Sequence, residues 1–358
     1  MTLWRYRIAG LLLALAVTAC SGGGDGVTDP PGSRCPDPTP LPIATPPGFP
    51  DINAFIPADN PTTVEGVALG RRLFYDPILS GDSTQACGSC HIQEKSFGDS
   101  LRFSVGIDGF EGARHAPTII NAAWLVGAFW DARAASLEDQ ALEPVPNEIE
   151  MHLPWPDAVG RLQAHDDYPD LFCAAFGTKE VTRERVVKAI AQFERTFVSS
   201  NSKFDRFQRG EEALTPVEEA GRQMFFTEVG DCFHCHTDDI GFDRDFHNIG
   251  LDSAIVDRGR YEVTGNPIDI GKFKSPALRN VMVSAPYMHD GRFNTIDEVI
   301  AHYNHGFFDG PRVDPLISAR LSRPALRSGQ IDTLKVFLHT LTDSTFLNNP
   351  DLSNPFTE

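Results

Sequence analysis

The sequence predicts a mainly α-helical protein built from two related units. Three observations carry this. Apolar residues recur at helical spacing through much of the 358-residue chain; in VTRERVVKAIAQFERTFVSS, Val186, Val187, Ile190, Phe193 and Phe197 form one stripe. Stretches rich in valine and isoleucine are few, which argues against a large sheet. One layout also occurs twice: a helix with Gly-Arg and an aromatic pair, a loop, then Cys-x-x-Cys-His. GRRLFYD precedes ACGSCH (Ala86–His91), and GRQMFF precedes DCFHCH (Asp231–His236).

At the start, Arg5 and Arg7 precede an apolar run, Ile8 to Ala19, that is short for a membrane span. Small residues then lead to Cys20. Residues 1–20 thus read as a lipoprotein signal peptide with Cys20 acylated, and Ser21 points to the outer membrane of a Gram-negative cell. Residues 21–50, rich in Gly, Pro, Asp and Thr, read as a flexible tether. The expected address is the periplasm, with membrane contact only through the lipid.

Thr62 with Glu65 makes a capping-box pattern, and Val64, Val67, Ala68 and Phe74 suit one helix face. In LTPVEEAGRQMFF, Thr215 is the expected cap, Pro216 the first helical residue, and Glu218 closes the box. In NTIDEVIAHYN, Thr295 caps with Glu298, and Ile296, Val299, Ile300 and Tyr303 share a face. DTLKVFLHTL is a last apolar helix. The polar stretch SSNSKFDRFQRGEE, residues 199–214, reads as the join. The expected units are therefore 51–205 and 206–330, with a C-terminal helix and tail, 331–358, able to pack back on the first.

A formal net charge of -18 argues against nucleic acid and anionic lipid as partners. No GxGxxG, Walker, HExxH or coiled-coil pattern is present. Of seven cysteines, Cys20 is the lipid candidate and Cys87, Cys90, Cys232 and Cys235 belong to the two motifs. Cys35 and Cys173 remain. An oxidising compartment permits them to pair, but the sequence leaves this open.

Cys-x-x-Cys-His attaches haem c: the cysteines bond the haem vinyls and the histidine binds iron. Zinc or a redox dithiol are the alternatives. Two such motifs in matching contexts of an exported chain favour haem, with His91 and His236 as proximal ligands and His234 as a bystander. The units are then cytochrome-c-like, each with one covalent haem. The group opposite each histidine decides between electron carriage and peroxide chemistry.

The chain resembles the bacterial di-haem cytochrome c peroxidase and MauG superfamily over roughly residues 56–345. The residues that carry the resemblance include LGRRLFYDPILS, CGSCH, RHAPTIINAA, FWDARAASLEDQALEP, AIAQFERTFVS, CFHCH, FKSPALRNVMVSAPYMHDGRF and TIDEVIAHYN. GFPDINAFIPADNP, SNSKFDRFQRGEEAL and FHNIGL look most like the MbnH branch, whose enzyme oxidises a tryptophan of a partner protein. The resemblance implies two facing haem domains, with the His91 haem reacting with hydrogen peroxide. It assigns Gln140, Pro144 and Glu150 to that pocket, Glu150 as the acid–base group. Alone, Glu150 would read as a solvated loop residue and Gln140 as an exposed helix residue. Trp130 matches the tryptophan between the haems, although by itself it reads as a core aromatic. Arg114 matches an arginine near the peroxidatic haem, with propionates or the loop as partners.

Two departures from the family pattern matter. Reductively activated relatives have a removable histidine seven residues before Arg114, where this chain has Ile107; the first haem is then ready without prior reduction. His115 stands where relatives place an asparagine associated with calcium between the domains, and Ser284 and Pro286 fall at the other calcium positions. Calcium through backbone oxygens stays open.

For the second haem, the peroxidases use a methionine fourteen residues after the histidine of the HDG segment. Counted from His289, that position is Tyr303, which MauG-like relatives share. Met288 and His302 are demoted, and His289 becomes a propionate or backbone partner. A tyrosinate stabilises oxidised iron. The implied enzyme is a haem-dependent peroxidase that uses peroxide to reach a high-valent di-haem state, spread over both haems and Trp130. It then oxidises a residue, tryptophan in the MbnH branch, of an exported protein such as an MbnP-like partner. The alternatives are a peroxidase fed by a small cytochrome or cupredoxin, and a passive electron carrier. Monomer and homodimer both remain open.

Overall fold

The computed structural model describes residues 35–237 and 241–356. The signal-peptide reading, Cys20 and the first part of the expected tether lie outside these residues. Helices dominate: α1 (Val64–Tyr75), α2 (Cys87–Cys90), α3 (Leu137–Ala141), α4 (Trp155–Ala164), α5 (Tyr168–Phe176), α6 (Arg183–Glu194), α7 (Lys203–Gln208) and α8 (Pro216–Phe225). There follow β1 (Phe246–His247), α9 (Tyr261–Thr264), β2 (Phe273–Lys274), α10 (Ile296–Ala301), α11 (Pro315–Ala319), α12 (Ser328–His339) and α13 (Ser344–Leu347). Among the described residues, the sheet is a single antiparallel pair, Phe246 opposite Lys274 and His247 opposite Phe273. No described helix is long and apolar enough to cross a membrane.

The duplicated layout has a physical cause. Gly70 of α1 lies against α6, and a Cβ there would stand 1.9 Å from the Ala189 carbonyl oxygen. Gly221 of α8 lies against α12, where a Cβ would stand 2.4 Å from the Thr333 oxygen. Each glycine lets two helix backbones touch, and each contact carries a packed phenylalanine pair, edge-on in the first and tilted in the second. Phe74–Phe193 ring centres are 5.5 Å apart and Phe225–Phe337 5.3 Å. Two apolar cores result: one around Leu69, Leu73, Phe74, Phe97, Phe193 and Phe197, the other around Phe204, Phe225, Ile296, Ile300 and Phe337.

The repeat continues beyond the helix pairs. Asn121 and Asn280 both adopt the left-handed conformation (φ 52° and 59°). Their amides donate to Phe197 and Leu341 carbonyls, and their side-chain oxygens accept from Ser199 and Asp343 amides. Trp130 and His289 stand nine residues after these asparagines, and Pro144 and Tyr303 stand 23 residues after them.

Several expectations are corrected. The cap of α1 is Thr63, which accepts from the Gly66 amide, not Thr62; Glu65 instead binds Thr39. Residues 35–50, read as tether, lie along the body: Leu41 donates to the Thr62 carbonyl, Phe49 packs edge-on against Trp124, and Cys35 is disulfide-bonded to Cys173. The polar stretch read as the join contains α7, whose Phe204 is buried in the second core. The caps at Thr215 and Thr295 form as expected, each a full capping box. At the C-terminus, Phe346 packs on Phe97, Tyr75 Oη donates to the Leu352 carbonyl, and Arg71 donates to Pro350 and Ser353. The tail therefore closes the first core.

Candidate haem and peroxidatic site

Each motif follows its unit's Gly-Arg helix, and each histidine is oriented in the same way. His91 Nδ1 donates to the Phe97 carbonyl at 2.7 Å, and His236 Nδ1 to that of Gly241 at 3.4 Å. This leaves Nε2 of both rings as the ligand atom. Burial pushes His91 below the usual imidazole range and His236 down to about 4, so both favour the neutral form that binds metal. Burial also pushes Cys87 and Cys232 up to about 12 and Cys90 up to about 11. Such thiols are poor redox nucleophiles. Among the described residues, Cys235 lies within ligand distance of Asp243 and His247, but neither motif histidine belongs to a metal-ligand cluster. The donor set fits haem attachment.

Cys232, Cys235, His236 and Tyr303 line one deep, mainly apolar cavity. Tyr303 is not on α10 proper. The helix gives way after Ala301 to a single π turn, His302–Gly306, which keeps the tyrosine on the cavity wall. Burial is the largest influence on its phenol and pushes proton loss well above the usual tyrosine range, followed by the motif cysteines. A bound cation is what would draw that proton off. His302 turns away, with Nε2 bonded to the Ile249 carbonyl at 2.9 Å. Met288 touches the cavity, but its backbone sits in the left-handed region at a tight turn. Ser284 and Pro286, the expected calcium positions, also line this cavity.

In the first unit, Pro144 occupies the register that Tyr303 has in the second, and it offers no side-chain donor. After Pro144 the chain turns back: Met151 donates to the Pro144 carbonyl and Leu153 to that of Val145. Glu150 sits half-buried on this turn, and its Oε1 accepts from Asn147 Nδ2 at 2.7 Å. Burial raises its carboxyl above the usual range, against the lowering effect of Arg133. Its charge reaches both Cys87 and Cys90. Gln140 is half-buried on α3. The amide of Ile107 donates to the Glu150 carbonyl at 3.0 Å, so the loop where some relatives carry a histidine touches the acid–base candidate. Ile107 brings only an alkyl chain there. The neighbouring histidine, His152, is held by Asp108 at 2.6 Å.

Between the units, the peptide of His115 is clamped from both sides. Its carbonyl accepts from Trp130 Nε1 at 2.8 Å, and its amide donates to the His289 carbonyl at 2.9 Å. Trp130 is buried and borders the cavity that holds His236 and Tyr303. His289 stacks on Phe273 at 3.7 Å, and its Nε2 lies 3.9 Å from Asp257. Arg114 binds Asp257 through two nitrogens, at 2.7 and 2.8 Å, and Asp131 at 2.6 Å. It is thus engaged by protein carboxylates and ties the first unit to the second.

Residue-by-residue reading missed several supports. Asn147, three residues before Glu150, holds its carboxylate. Lys274 is buried beside Trp130, donates to the Gly127 carbonyl at 3.0 Å and is pushed down to about 8 by burial. Asp257 and Phe273 hold Arg114 and His289. Only the Asn147 spacing could have been seen in the sequence.

Two haem-c motifs in a helical protein, with a half-buried tyrosine lining the cavity of one and a raised carboxyl near the other, define a class of redox enzyme. Residues 64–213 match the family described as di-haem cytochrome c peroxidase. The chain is 32% identical over 339 residues to the methylamine utilization protein MauG of Methylorubrum extorquens, covering 92% of this chain and 91% of that one. It is 36% identical to MauG of Methylophilus methylotrophus (69% of this chain, 74% of that one) and 37% identical to cytochrome c peroxidase Ccp of Escherichia coli (68% and 54%). A solved MauG-like protein associated with microbial copper homeostasis matches with a TM-score of 0.77 and 35% identity, covering 88% of this chain and 98% of that one. The chain belongs to the di-haem cytochrome c peroxidase and MauG family. It is a haem peroxidase; the family implies two haem c groups, hydrogen peroxide as oxidant, and a redox or protein partner.

Proposed function

We propose that this protein is a MauG- and MbnH-like enzyme that uses hydrogen peroxide to oxidise a tryptophan of an exported protein partner by long-range electron transfer. The observation that carries this reading is Tyr303, half-buried on the cavity wall shared by Cys232, Cys235 and His236. The similarity to a MauG-like protein associated with copper homeostasis supports it. In this reading Cys87, Cys90 and His91 hold one haem, and Cys232, Cys235, His236 and Tyr303 the other. The haems supply the redox chemistry that takes two oxidising equivalents from peroxide.

The chain's own residues do the rest. Glu150, kept protonatable by burial and held by Asn147, moves the peroxide proton. Gln140 orients the oxidant. Pro144 leaves the first site without a protein ligand, and Ile107 provides no histidine to close it. Trp130, fixed by its bond to His115, links the two sites. Because electrons travel through the protein, the partner residue needs no pocket. The Cys35–Cys173 disulfide supports export to an oxidising compartment, the periplasm, with a lipid at Cys20 as the anchor.

The test adds stoichiometric peroxide to the fully ferric holoprotein and follows both irons by Mössbauer and EPR spectroscopy. Both irons respond at once if the reading holds. A reaction that requires prior reduction of the second haem refutes it. Tyr303→Met should abolish the tyrosinate bands in resonance Raman spectra while both haems stay attached. A second reading, peroxide reduction to water with electrons from a small redox protein, draws on the identity to Escherichia coli Ccp. Sustained turnover with such a donor, without oxidation of a protein partner, would favour it.

A further inference from the structure

His234 lies inside the second motif, yet the haem chemistry leaves it unused. Its Nε2 faces two carboxylates, Asp231 Oδ1 at 3.2 Å and Glu228 Oε1 at 3.5 Å. The three ligand atoms all lie within 4.8 Å of one another. The Asp231 side chain is only 4% exposed, and its Oδ1 is buried without a hydrogen-bond partner. The other oxygen of each carboxylate is taken: Arg323 pairs with Asp231 Oδ2 at 2.5 Å and with Glu228 Oε2. Arg323 therefore holds both carboxylates with one free oxygen turned toward the imidazole.

We propose that His234, Asp231 and Glu228 form a binding site for one divalent transition-metal ion, of the Zn²⁺ or Cu²⁺ class. Bonds of about 2.0–2.2 Å from zinc to nitrogen and oxygen place tetrahedral donor atoms roughly 3.3–3.5 Å apart. The distances from His234 to both carboxylates fall around that value. One imidazole and two carboxylates suit zinc or copper, while an all-oxygen shell would suit calcium or magnesium. Two carboxylates and one guanidinium leave a net negative charge for the cation to offset. Arg323 acts as an outer partner that orients the ligands, a common support for metal-binding carboxylates. Water completes the coordination on the exposed Glu228 side. Asp231 and His234 flank Cys232, so a bound ion fastens the attachment loop and sets a positive charge beside the second haem.

The test uses the holoprotein with both haems attached, stripped with EDTA. Zn²⁺ is titrated by calorimetry and Cu²⁺ is followed by EPR. We expect one tight ion per chain, with copper hyperfine structure from a single imidazole. His234→Ala should abolish the tight site and that hyperfine structure. Glu228→Gln, at an exposed position that leaves the core untouched, should weaken binding at least tenfold with an unchanged Soret band and circular dichroism. Unaltered stoichiometry and affinity in these two variants would overturn the proposal, as would the absence of any one-per-chain binding in the parent protein.

Discussion

Glu194→Gln should reverse part of the pH dependence of stability. Glu194 ends α6, is 6% exposed, and has Oε2 buried without a hydrogen-bond partner. The adjacent Arg195 is paired with Glu138 rather than with it. Burial pushes the Glu194 carboxyl from 4.5 up to about 8; Arg195 opposes this and Glu138 adds to it. The unfolded chain ionises Glu194 near 4.5, the folded protein near 8. Between these values the folded state holds a proton that the unfolded state has lost, so stability falls as pH rises. At 1.36 kcal/mol per pH unit, the loss reaches up to about 5 kcal/mol by pH 8 and is flat above it. Glutamine keeps the shape and carries no charge, so it removes the ionisation that the folded state resists. Urea unfolding of the holoprotein at pH 5, 7 and 9 reads the effect. The variant should unfold near the parent's midpoint at pH 5 and at higher urea at pH 9, with an unchanged slope. Parallel pH profiles for the two proteins would refute the reasoning.

Glu150→Gln should slow the reaction with peroxide by about 10²–10⁴-fold in stopped-flow experiments, with haem content unchanged; a slowing of less than threefold would remove Glu150 from proton transfer. Because burial raises its carboxyl, the pH profile of that reaction should break above the ordinary glutamate range, and the break should be absent in the variant. Gly221→Ala must push α8 off Thr333, so thermal melting should show a loss of about 1–3 kcal/mol or more, and Gly70→Ala the same in the first unit. Cys35→Ser should cost roughly 5 kcal/mol from the chain entropy of a 138-residue separation, read by denaturant unfolding; equal stability with and without the bridge would contradict that account.

Much of the site was legible in the sequence because its chemistry is local. A Cys-x-x-Cys-His run carries its haem attachment and proximal histidine within five residues, whatever the surrounding fold. The caps at Thr215 and Thr295 depend only on a side chain reaching an amide three residues on. Counting from His289 singled out Tyr303, and the structure puts it on the wall of the cavity that Cys232, Cys235 and His236 also line. Thr63 was missed in favour of Thr62 because only Thr62 has a glutamate three residues on, whereas Thr63 has Gly66 there. The contact of Thr63 with Gln192 of α6 selects the cap.

What the tertiary structure alone decided involves partners far apart in the chain. Cys35 meets Cys173 because residues 35–50 lie along the body. Arg114 is held by Asp257, and Trp130 and His289 share the peptide of His115, because the two units close on each other there. The Glu150 carboxyl is raised because the turn after Pro144 buries it. The sequence alone determined the two Cys-x-x-Cys-His motifs and the helix caps, since these act over a few residues. The structure decided which residues are buried, oriented and joined, since desolvation and long-range hydrogen bonds exist only once the chain is packed.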